Sequence, residues 1–163
     1  MMRTRGLTGP FFGRHVGNRA SHPLAHSAGN FISIEDDGPD LGPELVVNGD
    51  FSSGIAWTPG ANWSIGGGVA SCDGLTATDI IQNLAIVDFN TYQVKVTTLN
   101  GTYAVNGLGV RMGDTSAQHS ILADGSYTFQ LVCGVLNNRI SFWNSGNGSF
   151  VGDIDDVSVK EVL

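Results

Sequence analysis

The fold of this chain is decided by one short stretch, Glu44-Leu-Val-Val-Asn-Gly-Asp-Phe-Ser-Ser-Gly54, followed by two tryptophans, Trp57 and Trp63. The apolar residues at the start of the stretch are typical of a short strand. Asn-Gly-Asp is typical of a tight turn, because these residue types accept turn conformations at low cost. The stretch therefore predicts a β-domain that begins near residue 43.

A second stretch near the other end, Ile154-Asp-Asp-Val-Ser-Val-Lys-Glu-Val162, predicts a closing strand with two acidic residues. The two stretches bracket about 120 residues, a normal size for one β-sandwich. Between them, short apolar runs alternate with turn residues, and no helical period appears. The predicted strands are Glu44–Val47, Asn62–Ile65, Val69–Cys72, Asp79–Leu84, Tyr92–Thr98, Tyr103–Val105, Leu108–Met112, His119–Leu122, Tyr127–Val132, Arg139–Trp143 and Asp153–Glu161.

Together the two stretches resemble a known family, the galactose-binding-like jelly rolls of carbohydrate-binding modules attached to xylanases and glucanases. An opening Asn-Leu-Val-x-Asn-Gly-Asp-Phe-Glu-x-Gly-x-x-x-Trp and a closing Ile-Asp-Asp-Val-Ser-Val are typical of that family. The same pattern occurs in single-module structural proteins of tailed bacteriophages, often with the ending Asp-Asp-Val-Ser-Val-Lys-Glu-Val found here. The resemblance covers residues 43–163 and implies an all-β jelly-roll sandwich.

Residues 1–42 differ from the rest and are predicted to form an irregular, extended basic arm with an acidic Pro/Gly connector. Residues 1–34 hold four arginines and no acidic residue, whereas the rest of the chain holds four basic and fifteen acidic residues. We interpret the arm as an anchor to a neighbouring protein, with contact residues Phe11, Phe12, Arg3, Arg5 and Arg14. The alternative is a solvated tail. Because the domain is acidic, nucleic-acid binding is disfavoured.

The sequence contains no nucleophile elbow, no Cys-x-x-Cys pair and no phosphate-binding glycine loop, so we expect a protein that is not an enzyme. His22 and His26 are four residues apart, but the proline between them disfavours a helix that would bring them together. We predict that Cys72 and Cys133 are buried free thiols. A disulfide between them is the alternative that the sequence does not exclude. No apolar run approaches the roughly 18 residues of a membrane-spanning helix, and no secretory signal is evident, so no membrane partner is expected.

The pair Asp155-Asp156 suggests a site for a structural calcium ion. Adjacent side chains of a strand point to opposite faces, so one carboxylate should point where an unpaired charge is costly. The resembling modules often hold calcium between the opening turn and the closing strand, which implies Asp155 as a ligand with Asp50 or Asn48 nearby. The opening motif of the family has Glu after Gly-Asp-Phe, whereas this chain has Ser52 at that position. One possible carboxylate ligand is therefore missing. The alternative is that these side chains accept hydrogen bonds without a metal.

Sugar binding requires exposed aromatic rings with polar side chains beside them. The candidates are Trp57, Trp143, Tyr103 and Arg111. Trp143 precedes a loop rich in Gly and Asn and is the best exposed candidate. Core packing is the competing interpretation for Trp57 and the favoured one for Trp63, because aromatic residues supply much of the core of a small sandwich.

Two functional hypotheses follow. The first is a non-enzymatic structural protein of a bacteriophage particle, either a capsid decoration, a head fibre or a tail appendage. Residues 1–34 would bind other virion proteins, copies of the chain would form a homo-oligomer in the assembly, and the jelly roll would bind glycans weakly. The protein would then be located in the virion. The alternative is a stand-alone carbohydrate-binding module. Neither hypothesis requires a cofactor, apart from the structural calcium considered above.

Overall fold

The computed structural model describes residues 38–113 and 118–163 of the chain. Within these residues the chain forms eleven β-strands and no helix, so this part holds no helix that is long and apolar enough to cross a membrane. The strands are β1 Leu41–Glu44, β2 Thr58–Pro59, β3 Trp63–Gly66, β4 Val69–Cys72, β5 Ala77–Asn83, β6 Thr91–Tyr103, β7 Leu108–Met112, β8 Gln118–Ile121, β9 Gly125–Val132, β10 Arg139–Ser145 and β11 Phe150–Val162. The predicted arm contacts lie outside the described residues: Phe11, Phe12, Arg3, Arg5 and Arg14.

The strands form two antiparallel sheets that pack face to face. Sheet I has the order β3-β4-β11-β6-β9, and β1 pairs with the C-terminal end of β11. Sheet II has the order β2-β5-β10-β7-β8. Most successive strands from β4 to β11 cross from one sheet to the other, which is the connectivity of a jelly roll. The predicted jelly-roll sandwich is confirmed.

The core lies between the sheets and follows the two-residue period of the strands. In β6, Tyr92, Val94 and Val96 are fully buried, whereas Lys95 is exposed. In sheet II the fully buried side chains that point inward are Ile80, Leu108, Val110, Met112, Ile140 and Phe142. The side chains between them therefore form the outer face of sheet II.

The opening turn is organised by Asn48 and packs against β11. Asn48 has a φ of 59°, in the left-handed region that Asn tolerates better than most residues. Its side-chain amide donates to the Ser53 carbonyl, and its Oδ1 accepts from the Ser52 hydroxyl at 2.8 Å. The Val157 amide donates to the Gly49 carbonyl at 2.9 Å. The two stretches that predict the fold are therefore in direct contact.

The first strand lies earlier than the sequence predicts, at Leu41–Glu44 instead of Glu44–Val47. Val47 pairs with a side chain instead of a strand. Its amide donates to Gln82 Oε1 at 2.7 Å, and its carbonyl accepts from Gln82 Nε2 at 2.9 Å. Gln82 is buried, so both polar groups of its amide are satisfied in the core. A glutamine side chain thus takes the place of a neighbouring strand at Val47.

Cys72 and Cys133 are both buried free thiols, as the sequence predicts. Burial raises the pKa of each thiol, because the thiolate is disfavoured away from water. Both side chains therefore act as small apolar groups of the core.

Candidate binding face

Trp143 lies near the middle of sheet II and points away from the core. In the strand register it is opposite Asp79 of β5 on one side and Gly109 of β7 on the other. Its neighbours along β10, Phe142 and Asn144, are fully buried, whereas Trp143 is half-buried. Because Gly109 has no side chain, the Gln118 side chain lies close over it; a Cβ at Gly109 would be 3.0 Å from Gln118 Nε2.

Arg111 stacks on Trp143. The guanidinium carbon of Arg111 lies 4.0 Å from the centroid of the Trp143 ring, a cation–π contact. Its Nε donates to Gln118 Oε1 at 2.9 Å, and Gln118 Nε2 donates to the Ser120 hydroxyl at 3.3 Å. A connected row of polar side chains therefore runs from the tryptophan across β7 to β8.

The opposite side of Trp143 carries a charged pair. Arg139 Nη2 and Asp79 Oδ2 are 3.9 Å apart, and about one third of each side chain is exposed. Arg139 Nε is buried and has no hydrogen-bond partner within the described residues. We call the resulting surface the Trp143 face; its residues are Asp79, Arg111, Gln118, Ser120, Arg139 and Trp143. It offers one aromatic ring together with hydrogen-bond donors and acceptors on both sides.

Trp57, another predicted glycan contact, lies in the core. Its side chain is 5% exposed, and its indole N–H donates to the Asn48 carbonyl at 3.0 Å. Its ring lies 4.9 Å from Phe51 and 6.2 Å from Phe142, centroid to centroid. A ring that stacks on a sugar needs at least one face that is accessible to solvent. Trp57 lacks such a face, because it is buried. Trp63 is buried as well.

Tyr103 belongs to sheet I and is not part of the Trp143 face. Its ring packs against Phe150 at a centroid distance of 5.3 Å, and its hydroxyl donates to Asp124 Oδ1 at 2.9 Å. Burial, together with the hydrogen bond to the Asp124 carboxylate, raises the pKa of Tyr103 to about 12. The tyrosine is therefore a neutral hydrogen-bond donor that holds the loop at Asp124.

The predicted calcium residues are engaged in local hydrogen bonds. Asp50 Oδ1 accepts from the Ser52 amide at 3.2 Å, and Asp155 Oδ1 accepts from the Asp156 amide at 2.7 Å. Asn48 Oδ1 accepts from the Ser52 hydroxyl. Over residues 38–113 and 118–163, no group of three or more His, Cys, Asp or Glu residues could hold a metal ion. Each of these three side chains therefore uses Oδ1 in a hydrogen bond within the turn or the strand.

The sequence did not indicate four members of the Trp143 face: Asp79, Gln118, Ser120 and Arg139. Each lies at an outward position of a strand, and this alternation is visible in the sequence. Their proximity to Trp143 depends on the order of strands in sheet II, in which β10 lies between β5 and β7. That order cannot be read from a single sequence.

No family model matches the chain, and no curated protein matches it. Solved structures that are similar include one titled "BiXyn10A CBM1 APO", a xylanase carbohydrate-binding module. It is 18% identical, with a TM-score of 0.48, and the match covers 76% of this chain and 97% of that chain.

Proposed function

We propose that the domain is a non-enzymatic glycan-binding module that binds sugars through the Trp143 face. The observation that carries this proposal is the half-buried, outward-pointing indole of Trp143, which stacks with Arg111 in the middle of a polar sheet surface. An aromatic ring surrounded by a few polar groups is the composition expected for a site that binds an amphipathic ligand. A sugar ring is such a ligand, since it has apolar C–H faces and polar hydroxyl edges.

Each residue of the Trp143 face has a role in this proposal. The C–H groups of a sugar would pack on the indole, while Gln118 and Ser120 would exchange hydrogen bonds with its hydroxyls. Asp79 would accept hydrogen bonds from hydroxyls, and Arg139 would donate to them. Arg111 would position the indole through its stacking contact. Because all these side chains lie on strands of one sheet, the site is held in place before the ligand arrives.

The proposal is tested with Trp143→Ala, measured by affinity electrophoresis and calorimetry against a panel of soluble polysaccharides. We expect binding to at least one polysaccharide, weakened by at least about tenfold in the variant, because removing a central aromatic contact costs more than about 1.4 kcal/mol. Phe89→Ala is the matched control, since Phe89 is an exposed aromatic residue outside this face. Equal affinities of Trp143→Ala and the unmodified protein would contradict the proposal.

We also propose a location for this activity, the surface of a bacteriophage particle. The support is the sequence: the basic arm of residues 1–34 and the ending Asp-Asp-Val-Ser-Val-Lys-Glu-Val. In this proposal the arm anchors the chain to a capsid or tail protein, and the domain displays the Trp143 face. Mass spectrometry of purified phage particles should then detect the chain. Its presence only among non-particulate proteins would favour the stand-alone carbohydrate-binding module.

A further inference from the structure

Strand β9 forms a long open edge of sheet I. It pairs on one side with β6, residue for residue from Thr91 opposite Val132 to Thr98 opposite Gly125, without a register shift. On its other side, no strand of the described chain pairs with it. Every second residue of such an edge turns its amide and its carbonyl outward, which leaves about eight unpaired backbone groups on β9.

The other edge strands are short, and β9 is not. Within the described residues, β2 has two residues, whereas β1, β3 and β8 have four each. Short edges pair poorly with other chains, but an eight-residue edge such as β9 can pair along its whole length. The length of β9 therefore sets it apart as a surface for strand pairing.

β9 also lacks the features that usually protect an edge strand. Its sequence, Gly-Ser-Tyr-Thr-Phe-Gln-Leu-Val, contains no charged residue and no proline, and its pairing with β6 contains no bulge. The side chains on its outer face, Ser126, Thr128 and Gln130, are exposed and uncharged. On the inner face, Tyr127 and Phe129 are half-buried, and the Phe129 ring stacks on His119 with the ring centroids 3.9 Å apart. Tyrosine, phenylalanine and threonine are residue types with a high preference for strands.

We propose that β9 is the site at which a second copy of this chain binds, with the two β9 strands antiparallel about a two-fold axis. This arrangement would join two six-stranded sheets into one of twelve strands. Antiparallel pairing lets each copy donate and accept the same set of hydrogen bonds, as a two-fold interface requires. The half-buried Tyr127 and Phe129 would gain cover from the partner.

Charge favours a second copy as the occupant. The domain carries an excess of acidic residues, so two copies repel each other over most surfaces. The β9 edge is uncharged and avoids this repulsion. Pairing through one eight-residue strand would bury less surface area than a standard interface of about 1,600 Å². The proposed dimer is therefore weak and reversible. Its formation therefore depends on protein concentration.

The experiment is sedimentation velocity of the full chain over a range of concentrations, from about 1 µM to about 200 µM. We expect monomers at the lowest concentration and dimers at the highest. Thr128→Lys places a charge near the centre of β9, where two-fold pairing brings the two lysines close together. This variant should weaken the dimer by at least about tenfold.

Ser64→Lys is the matched control. Ser64 is exposed on β3, at the opposite edge of the same sheet, and gives the same change of charge. Hydrogen exchange adds a second measurement, because the outward amides of β9 should exchange more slowly at high concentration than at low concentration. A chain that stays monomeric throughout would overturn the proposal. So would a dimer that Thr128→Lys and Ser64→Lys weaken equally, or one in which β9 amides gain no protection.

Discussion

Glu44 links the first and last strands of the sandwich through its carboxylate. Oε1 accepts from the amides of Val46 at 3.0 Å and Val159 at 2.8 Å, and Oε2 accepts from the Ser158 hydroxyl at 2.5 Å. Burial by itself raises the pKa of this carboxyl, but the hydrogen bonds and the nearby Lys160 lower it further than burial raises it. The net pKa therefore lies below its ordinary value, because the ionised form is the better hydrogen-bond acceptor.

Glu44→Gln should reduce the free energy of unfolding by about 1 kcal/mol at pH 7, the typical value of such hydrogen bonds at a partly exposed site. A carboxyl whose pKa is lowered by folding stabilises the fold above its unfolded pKa, and this stabilisation is lost as the pH falls through the folded pKa. The difference between variant and unmodified protein should therefore shrink below the ordinary pKa of 4.5. Urea unfolding at pH 7 and at pH 3 measures it.

Asp40→Asn is the control for this prediction, since it removes an exposed carboxylate from the same part of the chain. It should change the free energy of unfolding by less than about 0.5 kcal/mol at either pH. A Glu44→Gln effect of the same size at pH 7 and pH 3 would show that ionisation of Glu44 does not contribute.

Several polar residues that organise the fold could not be identified from the sequence, because their partners are distant along the chain. Glu44 bonds to a residue 115 positions away, Gln82 to one 35 positions away, and Asn144 to one 68 positions away. Asn144 is fully buried, and its Oδ1 accepts from the Gly146 and Phe150 amides. Local patterns indicate turns and strands, but they carry no information on such long-range hydrogen bonds.

At the level of elements, β11 is shaped to receive the opening turn. Its register with β6 shifts between Asp155 and Ser158, and Asp156 has a φ of 52°. An irregularity of this kind bends a strand and changes the direction of its groups. The backbone of Val157 thereby meets Gly49, where a Cβ would lie 1.9 Å from the Val157 carbonyl oxygen. Gly49 is therefore required for close approach of two backbones.

Gly49→Ala should destabilise the domain by about 3 kcal/mol or prevent folding, because the added methyl group overlaps the backbone of β11. Gly54→Ala is the matched control in the same stretch, since a Cβ at Gly54 meets nothing within 4 Å. It should change stability by less than about 0.5 kcal/mol. Thermal and urea unfolding compare the two variants. Equal stabilities would contradict the importance of the contact between Gly49 and Val157.

The elements that were predicted well are those with a local cause. The hairpin of β3 and β4 was expected from Gly66-Gly67-Gly68, and the second and third of these glycines have φ angles of 65° and 83°. Strand β2 was not expected, because its two residues include Pro59 and show no alternation. It exists because Thr58 and Pro59 lie against β5.

At the scale of the whole molecule, the sandwich could be predicted and the Trp143 face only in part. Strand spacing and turn residues indicate two packed sheets, whatever the order of the strands. The pairing of Trp143 with Arg111 requires β10 and β7 to be neighbours, although more than 25 residues separate the two strands along the chain. Both residues were candidates for sugar binding, but nothing local showed that one stacks on the other.

A calcium ion at the opening turn would affect the stability of the whole molecule, because it would connect β11 to the start of the domain. We expect a chelator to change the melting temperature by less than about 1 °C, because Asn48, Asp50 and Asp155 already have hydrogen-bond partners. Differential scanning calorimetry with EDTA, and with added calcium, measures this. A fall of several degrees that calcium reverses would establish a structural ion.

The position of β11 in sheet I affects how the protein is made in the cell. This strand lies between β4 and β6 and also pairs with β1, yet it is synthesised after the ten other strands of the described sandwich. At about 5–20 residues per second, roughly ten seconds pass between the emergence of β1 and that of β11 from the ribosome. Until then sheet I lacks its central strand, and the apolar sides of its other strands remain uncovered. We therefore expect the nascent domain to expose apolar surface of the kind that chaperones bind, and sheet I to be completed only after translation of residue 162.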